Sequence, residues 1–409
     1  MQDIIRQVHL QSDDSDSLTS IISSITPDDE GSQNDNIESI IWRGEGIDSV
    51  DVSKFFARSR LSKLRFLELS GNFRISSWNH LAFRTTLLTT LSLQIVEPLP
   101  TPILTTSRLF SILSSNPNLR ELSLSAAAFP TDADGSTLQV PLRGLKSLSL
   151  SGEPRHLLRL LRRLILPVTL DNINLTGLNS TVEEISRTLI PYMRDYFHHD
   201  SRFQDTLGIF SLFSPSSISI SVTVVYGQAA ELARKSPFST FTLLLVDPPP
   251  PDTLEQFFIN VIASTPPRER VVFFDANLDT ELPEELFSMM PNIKTMCLSE
   301  GALSEGFLQP NPDGPHANRK LLPSLQLLYL EDVDLDDNNW GHLISYLTHQ
   351  TSDGQIVSLE VLGNSPYMPP EVVDVVKGLV DEFTYDQDPG AEGGGPLSSC
   401  GYSTHEEGG

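Results

Sequence analysis

The chain has 409 residues and a formal charge of −25, because 53 acidic side chains stand against 28 basic ones. This charge disfavours DNA, RNA and anionic membrane as partners, since clustered Lys and Arg drive binding to phosphates. There is no long apolar run, the start is too polar for a signal peptide, and two cysteines supply no disulfide framework, so we expect a cytoplasmic protein, with the nucleus as the alternative.

Residues 1–36 form an acidic segment that we expect to cap the fold. Two groups of apolar residues recur there at helical spacing, and they predict helices ahead of the first repeat. The groups are Ile4, Ile5 and Val8, followed by Leu18, Ile21, Ile22 and Ile25. A terminal cover is required because the outer face of an end repeat otherwise exposes the core.

A repeated leucine pattern follows this segment. Leu119-Arg-Glu-Leu122-Ser-Leu124 returns as Leu145-Lys-Ser-Leu148-Ser-Leu150, and the motif L-x-x-L-x-L places alternate side chains of a short strand in a core. Because one repeat is too small to bury this apolar face alone, neighbouring repeats must stack. Copies begin at Ile37, Leu64, Leu88, Leu119, Leu145, Leu170, Ile293, Leu325 and Ile356.

The long interval between Leu170 and Ile293 predicts further, degenerate copies, because a structureless loop of that length is rare in a compact domain. Three segments have the composition and period of strands: Ser217–Val224, Phe238–Leu243 and Val271–Phe274. With them the repeat domain spans residues 37–383 and contains about twelve irregular repeats.

The segments between these strands carry helical periodicity. Apolar residues three and four apart predict helices around Leu109, Leu157, Phe257 and Trp340, and we expect Pro191 to kink or break another near Ile190. Strands alternating with helices predict an α/β leucine-rich-repeat horseshoe, a solenoid with a parallel concave sheet and convex helices.

After the last strand, a helical stripe of Val372, Val375, Val376, Leu379 and Phe383 predicts a C-terminal capping helix. The remaining residues, 384–409, are acidic and Gly-rich and show no apolar periodicity. This composition predicts a disordered tail, because it cannot bury enough apolar surface to offset the entropy of ordering.

The sequence contains no pattern that supports catalysis. A G-x-S-x-G elbow, a phosphate-binding glycine loop and an H-E-x-x-H helix are all missing from it. His198 and His199 read as a solvated helix end, and Arg155, Arg159, Arg162 and Arg163 as a charged helix face. We therefore expect no catalytic residue, no metal site and no cofactor.

The candidate binding surface is the concave face, which is formed by residues between the repeat leucines. At the fifth repeat position, small polar side chains change to larger ones along the chain. The series is Ile41, Glu68, Ser92, Ser123, Ser149, Asn174, Ser219, Thr242, Phe273, Cys297, Tyr329 and Glu360. Phe273 and Tyr329, with Leu327 and Glu331, are predicted to contact a protein partner, because aromatic groups bury a large area at low entropy cost.

Three phrases resemble the repeat region of the fungal F-box leucine-rich-repeat proteins, over roughly residues 37 to 383. The phrases begin at Leu113, Leu142 and Leu322 and read LSSNPNLRELSL, LRGLKSLSLSG and LPSLQLLYL. The resemblance implies a horseshoe that presents a substrate, next to an F-box helix bundle that docks on a cullin ubiquitin-ligase adaptor. A recognisable F-box is absent from residues 1–36.

The leading hypothesis is therefore a non-enzymatic protein-binding scaffold with an unidentified protein partner. Two alternatives stay open. One is a substrate receptor of a cullin-type ubiquitin ligase whose adaptor-binding helices lie in residues 1–36. The other is an enzyme whose site the sequence does not display.

Overall fold

The computed structural model divides into two compact units. Unit 1 is Met1–Arg202 with Glu231–Pro248, and unit 2 is Phe203–Ala230 with Pro249–Gly409. The structure describes residues 6–26, 36–44, 49–78, 83, 87–95, 104–125, 139–167, 170–178, 181–199, 207–213, 219–227, 239–246, 251–264, 271–277, 284–299, 301, 322–333, 337–351, 358–362 and 368–385.

The main sheet of unit 1 has eight parallel strands in its described residues. In order across the sheet these are β1 (Gln7–Ser12), β2 (Ser39–Gly44), β4 (Phe66–Gly71), β6 (Thr90–Ile95), β7 (Glu121–Leu124), β9 (Ser147–Gly152), β11 (Asn172–Gly177) and β14 (Ser239–Val246). The prediction of a mixed α/β fold with a parallel sheet is confirmed, and β14 overlaps the predicted segment Phe238–Leu243 and continues to Val246.

The leucines of the repeat form aligned rows in this sheet. Leu67, Leu91, Leu122, Leu148 and Ile173 follow one another in register from strand to strand, and each is 2% exposed or less. The first-position residues are also buried wherever the structure describes them; Ile356 lies outside the described residues. The L-x-x-L-x-L pattern therefore places its three apolar side chains in one core, as expected from alternation along a strand.

Helices connect the strands of unit 1. They are α1 (Ser15–Ile25), α2 (Ser53–Arg58), α3 (Thr106–Ser115), α4 (Pro154–Leu161) and α5 (Val182–His199). The expected break near Ile190 is wrong, since α5 continues through Pro191. One face of α5 is buried on both sides of the proline, through Ile185, Leu189, Met193 and Phe197, so packing outweighs the lost backbone hydrogen bond.

Two-residue strands form two further small sheets in unit 1. Strand β3 (Val50–Asp51) pairs with β5 (Phe73–Arg74), and β8 (Val140–Pro141) pairs with β10 (Leu164–Ile165). The apolar spacing that predicted a helix around Leu157 continues to Leu164 and Ile165, but the helix ends at Leu161 and these two residues form β10. An apolar pair can continue a helical stripe or begin a strand, and the pattern alone does not separate the two.

The N-terminal segment contains a strand where the apolar spacing predicted a helix, and this prediction is wrong. Val8 lies in β1, which pairs in parallel with β2 from Gln7 to Ser12. The second stripe is confirmed as α1, with Leu18 and Ile22 buried. Ile4 and Ile5 lie outside the described residues.

The main sheet of unit 2 begins with an antiparallel pair. Strand β12 (Leu207–Phe213) pairs antiparallel with β13 (Ser219–Gly227) and parallel with β15 (Val271–Asn277). The prediction that Ser217–Val224 is one more parallel repeat strand is wrong, and Ser219 does not continue the parallel row. The parallel series goes on through β16 (Thr295–Ser299), β17 (Leu327–Glu331), β18 (Ser358–Leu362) and β19 (Glu382–Tyr385).

Four helices belong to the described part of unit 2: α6 (Pro251–Ser264), α7 (Glu284–Ser288), α8 (Asp337–Thr351) and α9 (Pro370–Leu379). The helices predicted around Phe257 and Trp340 are confirmed as α6 and α8. The C-terminal stripe is confirmed as α9, except that Phe383 lies in β19. The predicted disordered tail, residues 384–409, is wrong at Thr384 and Tyr385, because both belong to β19 and pair with β18. The rest of the predicted tail lies outside the described residues.

Candidate protein-binding face

The side chains of the unit 2 strands alternate between two faces of the sheet. One face is the core, and on the opposite face Asp275 and Cys297 are buried as well. Phe274, Met296, Leu328 and Leu359 make up one buried row, in register from β15 to β18. We call the opposite side the unit 2 face. Its residues at the third, fifth and seventh positions are Phe273 and Asp275 on β15, Thr295, Cys297 and Ser299 on β16, Leu327, Tyr329 and Glu331 on β17, Ser358, Glu360 and Leu362 on β18, and Glu382 and Thr384 on β19.

All four side chains predicted as binding residues belong to this face. Leu327, Tyr329 and Glu331 alternate along β17 and are half-buried. Phe273, also half-buried, lies two strands away in the row of Leu327, because it pairs with Thr295, which pairs with Leu327. The structure therefore brings these residues to one surface, and their contact with a partner stays a prediction.

Besides Ser219, one further position in the predicted fifth-position series is wrong. Phe273 is at the third position of its strand, and Asp275 takes the fifth, in register with Cys297, Tyr329 and Glu360. The apolar run Val271–Phe274 marked only the first part of β15, which continues to Asn277. A continuous apolar run shows no alternation, so it left the register of this strand open.

Asp275 is the main feature of the face that sequence reasoning missed. Its side chain is only 3% exposed. Burial, followed by repulsion from Glu331, raises its pKa to about 7, while a hydrogen bond with Cys297 acts in the opposite direction. A carboxyl with this pKa changes its charge near neutral pH.

Two neighbouring carboxyls are shifted in the same direction. Burial and the nearby charge of Asp332 raise the pKa of Glu331. Burial and the charge of Glu382 raise the pKa of Glu360. Acidic groups thus crowd one another on this face, and no cationic side chain appears among the causes of these shifts.

The corresponding face of unit 1 has a different chemistry. The predicted fifth-position row is confirmed there, since Ile41, Glu68, Ser92, Ser123, Ser149, Asn174 and Thr242 follow one another in register. The acid in this row is neutralised: Arg43 Nε lies 2.7 Å from Glu68 Oε1. Small hydroxyl and amide side chains offer little area to desolvate, which makes this face the weaker candidate.

The other polar features of the sequence do not assemble into a site in the described residues. Arg155, from the basic stripe of α4, lies 2.6 Å from Glu184 of α5, and Arg163 packs over the ring of Phe110. The side chains of His198 and His199 lie outside the described residues. No group of His, Cys, Asp or Glu in the described ranges is placed to hold a metal ion.

Comparison with known proteins places no constraint on the chain's function. No family model, curated protein or solved structure matches the chain. Among the helices in the described residues, none combines the length and apolar character that a membrane crossing requires. The candidate function therefore depends on the geometry of the unit 2 face.

Proposed function

We propose that this chain is a non-enzymatic scaffold of the α/β leucine-rich-repeat horseshoe class that binds a protein partner through the unit 2 face. The repeat assignment is supported by the rows of buried leucines in parallel register. The binding role is supported by one observation above all, the half-buried Tyr329 between Leu327 and Glu331 on the face opposite the core.

Tyr329 is well suited to anchor a partner. An aromatic side chain on a sheet face offers a large area with few rotatable bonds, and such anchors commonly contribute about 2 kcal/mol or more to binding. Leu327 and Phe273 add apolar surface in the neighbouring row. Aromatic and apolar anchors beside polar groups are typical of interface cores with a polar rim.

The first experiment is affinity purification of the whole chain with mass spectrometry, followed by calorimetry with the partner that is recovered. We expect Tyr329→Ala to weaken the affinity by about thirtyfold, which corresponds to about 2 kcal/mol. The matched controls are Ser123→Ala and Ser149→Ala on the unit 1 face, for which we expect little change. If a serine change weakens binding and the tyrosine change does not, contact lies elsewhere and the site assignment should be dropped.

The alternative function, a substrate receptor of a ubiquitin ligase, is supported by the family resemblance, and the same purification tests it. Deleting residues 1–36 would remove β1 and α1, which pair and pack within unit 1. Changing an exposed residue is a cleaner test. Ile21 is 41% exposed on α1, so Ile21→Ser should release a cullin adaptor if α1 binds one, and leave the core of unit 1 intact.

A further inference from the structure

We infer that the partner segment bound by the unit 2 face is cationic, with Lys or Arg side chains that lie against Tyr329 and between Glu331 and Glu360. This inference rests on the proposed function and adds the chemistry of the partner to it. Tyr329 and Glu360 are register neighbours on adjacent strands. Glu331 follows Tyr329 on the same face two residues later, so all three are within reach of one bound side chain.

The charge of the face points to this occupant. Its outward positions on β15 to β19 include the carboxyls of Asp275, Glu331, Glu360 and Glu382, and no Lys or Arg. None of the four carboxyls is paired with a basic side chain in the described residues. Glu68 on the unit 1 face and Glu184 on α5, by contrast, do have an arginine partner.

Crowded carboxyls without a counter-charge are costly, and an arriving cation relieves that cost. The pKa values of Asp275, Glu331 and Glu360 are all raised, and in each case a neighbouring acid contributes after burial. A bound Lys or Arg would favour the ionised forms of all three. Complementary charge of this kind sets partner choice and speeds association.

Tyr329 extends the match beyond charge. The face of a tyrosine ring attracts a cation, and guanidinium groups stack on it readily. Leu327, two residues before Tyr329 on the same face of β17, provides apolar surface beside it for the aliphatic stem of a Lys or Arg side chain. A cationic segment with alternating side chains would therefore pair with the carboxyls and pack against the half-buried aromatic surface.

The inference also predicts that binding depends on pH. Asp275 is faced by Cys297 from β16 and by Glu331 from β17, and β12 brings Ser211 into register with it. As pH rises through about 7, Asp275 gains a negative charge. A cationic partner should then bind more tightly, and a neutral partner should not.

The test uses the full-length protein and a fluorescent peptide of alternating arginine and serine, with a glutamine–serine peptide as the neutral probe. Binding is followed by fluorescence anisotropy at about 0.15 M salt, where long-range attraction to the net charge is largely screened. We expect the arginine peptide to bind and the neutral peptide to fail. The double change Glu331→Gln with Glu360→Gln should weaken the arginine peptide by at least about tenfold.

The matched control is Glu285→Gln with Glu371→Gln, which removes the same charge from exposed positions on α7 and α9. We expect this control to change affinity less than about twofold, because neither residue belongs to the strands that form the unit 2 face and exposed charges are screened by salt. From about pH 6 to pH 8, peptide affinity should rise in the unaltered chain and stay level in Asp275→Asn. Circular dichroism of each variant checks that it is folded.

Specific outcomes would overturn the inference. If the control pair weakens the affinity for the arginine peptide as much as Glu331→Gln with Glu360→Gln, the peptide binds only through the net charge of the protein. Equal binding of the arginine and glutamine peptides would show that cations are not selected. If the natural partner depends on Tyr329 but is unaffected by Glu331→Gln with Glu360→Gln, the proposed function stands and the cationic partner is rejected. If the arginine peptide depends on these glutamates but the natural partner does not need Tyr329, the proposed function fails instead.

Discussion

At the scale of single residues, Leu148 is the clearest test of the core of unit 1. It lies in the middle of β9, in register with Leu122 and Ile173, and is fully buried. Leu148→Ala should lower the free energy of unfolding by about 2 to 5 kcal/mol, because the substitution leaves a cavity among packed leucines. The check is urea denaturation, with Ser149→Ala as the neighbouring control. A loss below about 0.5 kcal/mol would show that Leu148 is not part of the core.

Which residues lie inside could be predicted from the sequence wherever the leucines alternate with polar residues. In β9, Leu148 and Leu150 alternate with serines, so one face had to be buried. Around Asp275 this reasoning failed, because the preceding run is apolar on both faces. The raised pKa of Asp275 could not be predicted for a second reason, because the side chains around it, Cys297 and Glu331, come from later strands.

Asp275 makes stability depend on pH. Its pKa is raised from 3.8 to about 7 in the folded protein, so the folded state binds this proton more tightly than the unfolded state. The associated stabilisation is complete below about pH 4 and is lost as pH rises through about 7. Asp275→Asn removes this effect. Relative to the unaltered chain, the variant should gain stability between about pH 5 and pH 8, by at most about 4 kcal/mol.

Urea denaturation at a series of pH values measures this gain. Glu360→Gln is a useful comparison, because Glu360 is a neighbouring acid on the same face that does not appear among the causes of the Asp275 shift. The free energy of unfolding of Glu360→Gln should therefore keep the pH dependence that Asp275 causes. If Asp275→Asn shows the same pH dependence as the unaltered chain, the carboxyl is ionised without cost in the folded protein, and its assigned environment is wrong.

At the scale of the elements, the repeat motif predicted strands better than it predicted their partners. Strands with a full L-x-x-L-x-L pattern, such as β7 and β9, lie where they were expected. Strand β1 was missed because its alternation is weak, with Val8 as its one buried residue. The antiparallel course of β13 could not be inferred, since a strand's own side-chain pattern is the same in either direction.

Gly71 at the end of β4 has a specific structural requirement. Its φ is +116°, and a Cβ there would lie 1.9 Å from the carbonyl oxygen of Gly44 on the neighbouring strand. Gly71→Ala should therefore destabilise unit 1 by a few kcal/mol, through backbone strain and a clash between two main chains. Thermal unfolding of the variant measures this loss.

Gly44→Ala is the matched control for Gly71→Ala, on the register partner itself. A Cβ at Gly44 would meet only side chains, the nearest being Leu18 Cδ1 at 3.2 Å. Side chains can move by a few tenths of an ångström, so the loss should be clearly smaller than at Gly71. Equal losses would mean that close approach of the strands, and not the backbone conformation of Gly71, dominates.

At the scale of the whole molecule, net charge is the dominant long-range term. The formal charge of −25 makes the chain repel itself, and this repulsion opposes a compact state. The ion pairs among described residues, such as Arg43 with Glu68 and Arg155 with Glu184, have at least one exposed partner. Each pair of this kind contributes about 0 to 1 kcal/mol, so the pairs offset the repulsion only in part.

Added salt should therefore stabilise the protein. Between about 0.01 and 0.15 M ionic strength the Debye length falls from about 30 to 8 Å, which screens repulsion between distant acids more than attraction inside a contact pair. We expect the unfolding temperature to rise over this range in sodium chloride, and by the same amount in sodium sulfate at equal ionic strength. A much larger rise in sulfate would instead indicate exclusion of the salt from the protein surface. A fall in both salts would show that ion pairs outweigh the net repulsion, and would contradict the picture of an acidic chain without sufficient counter-charge.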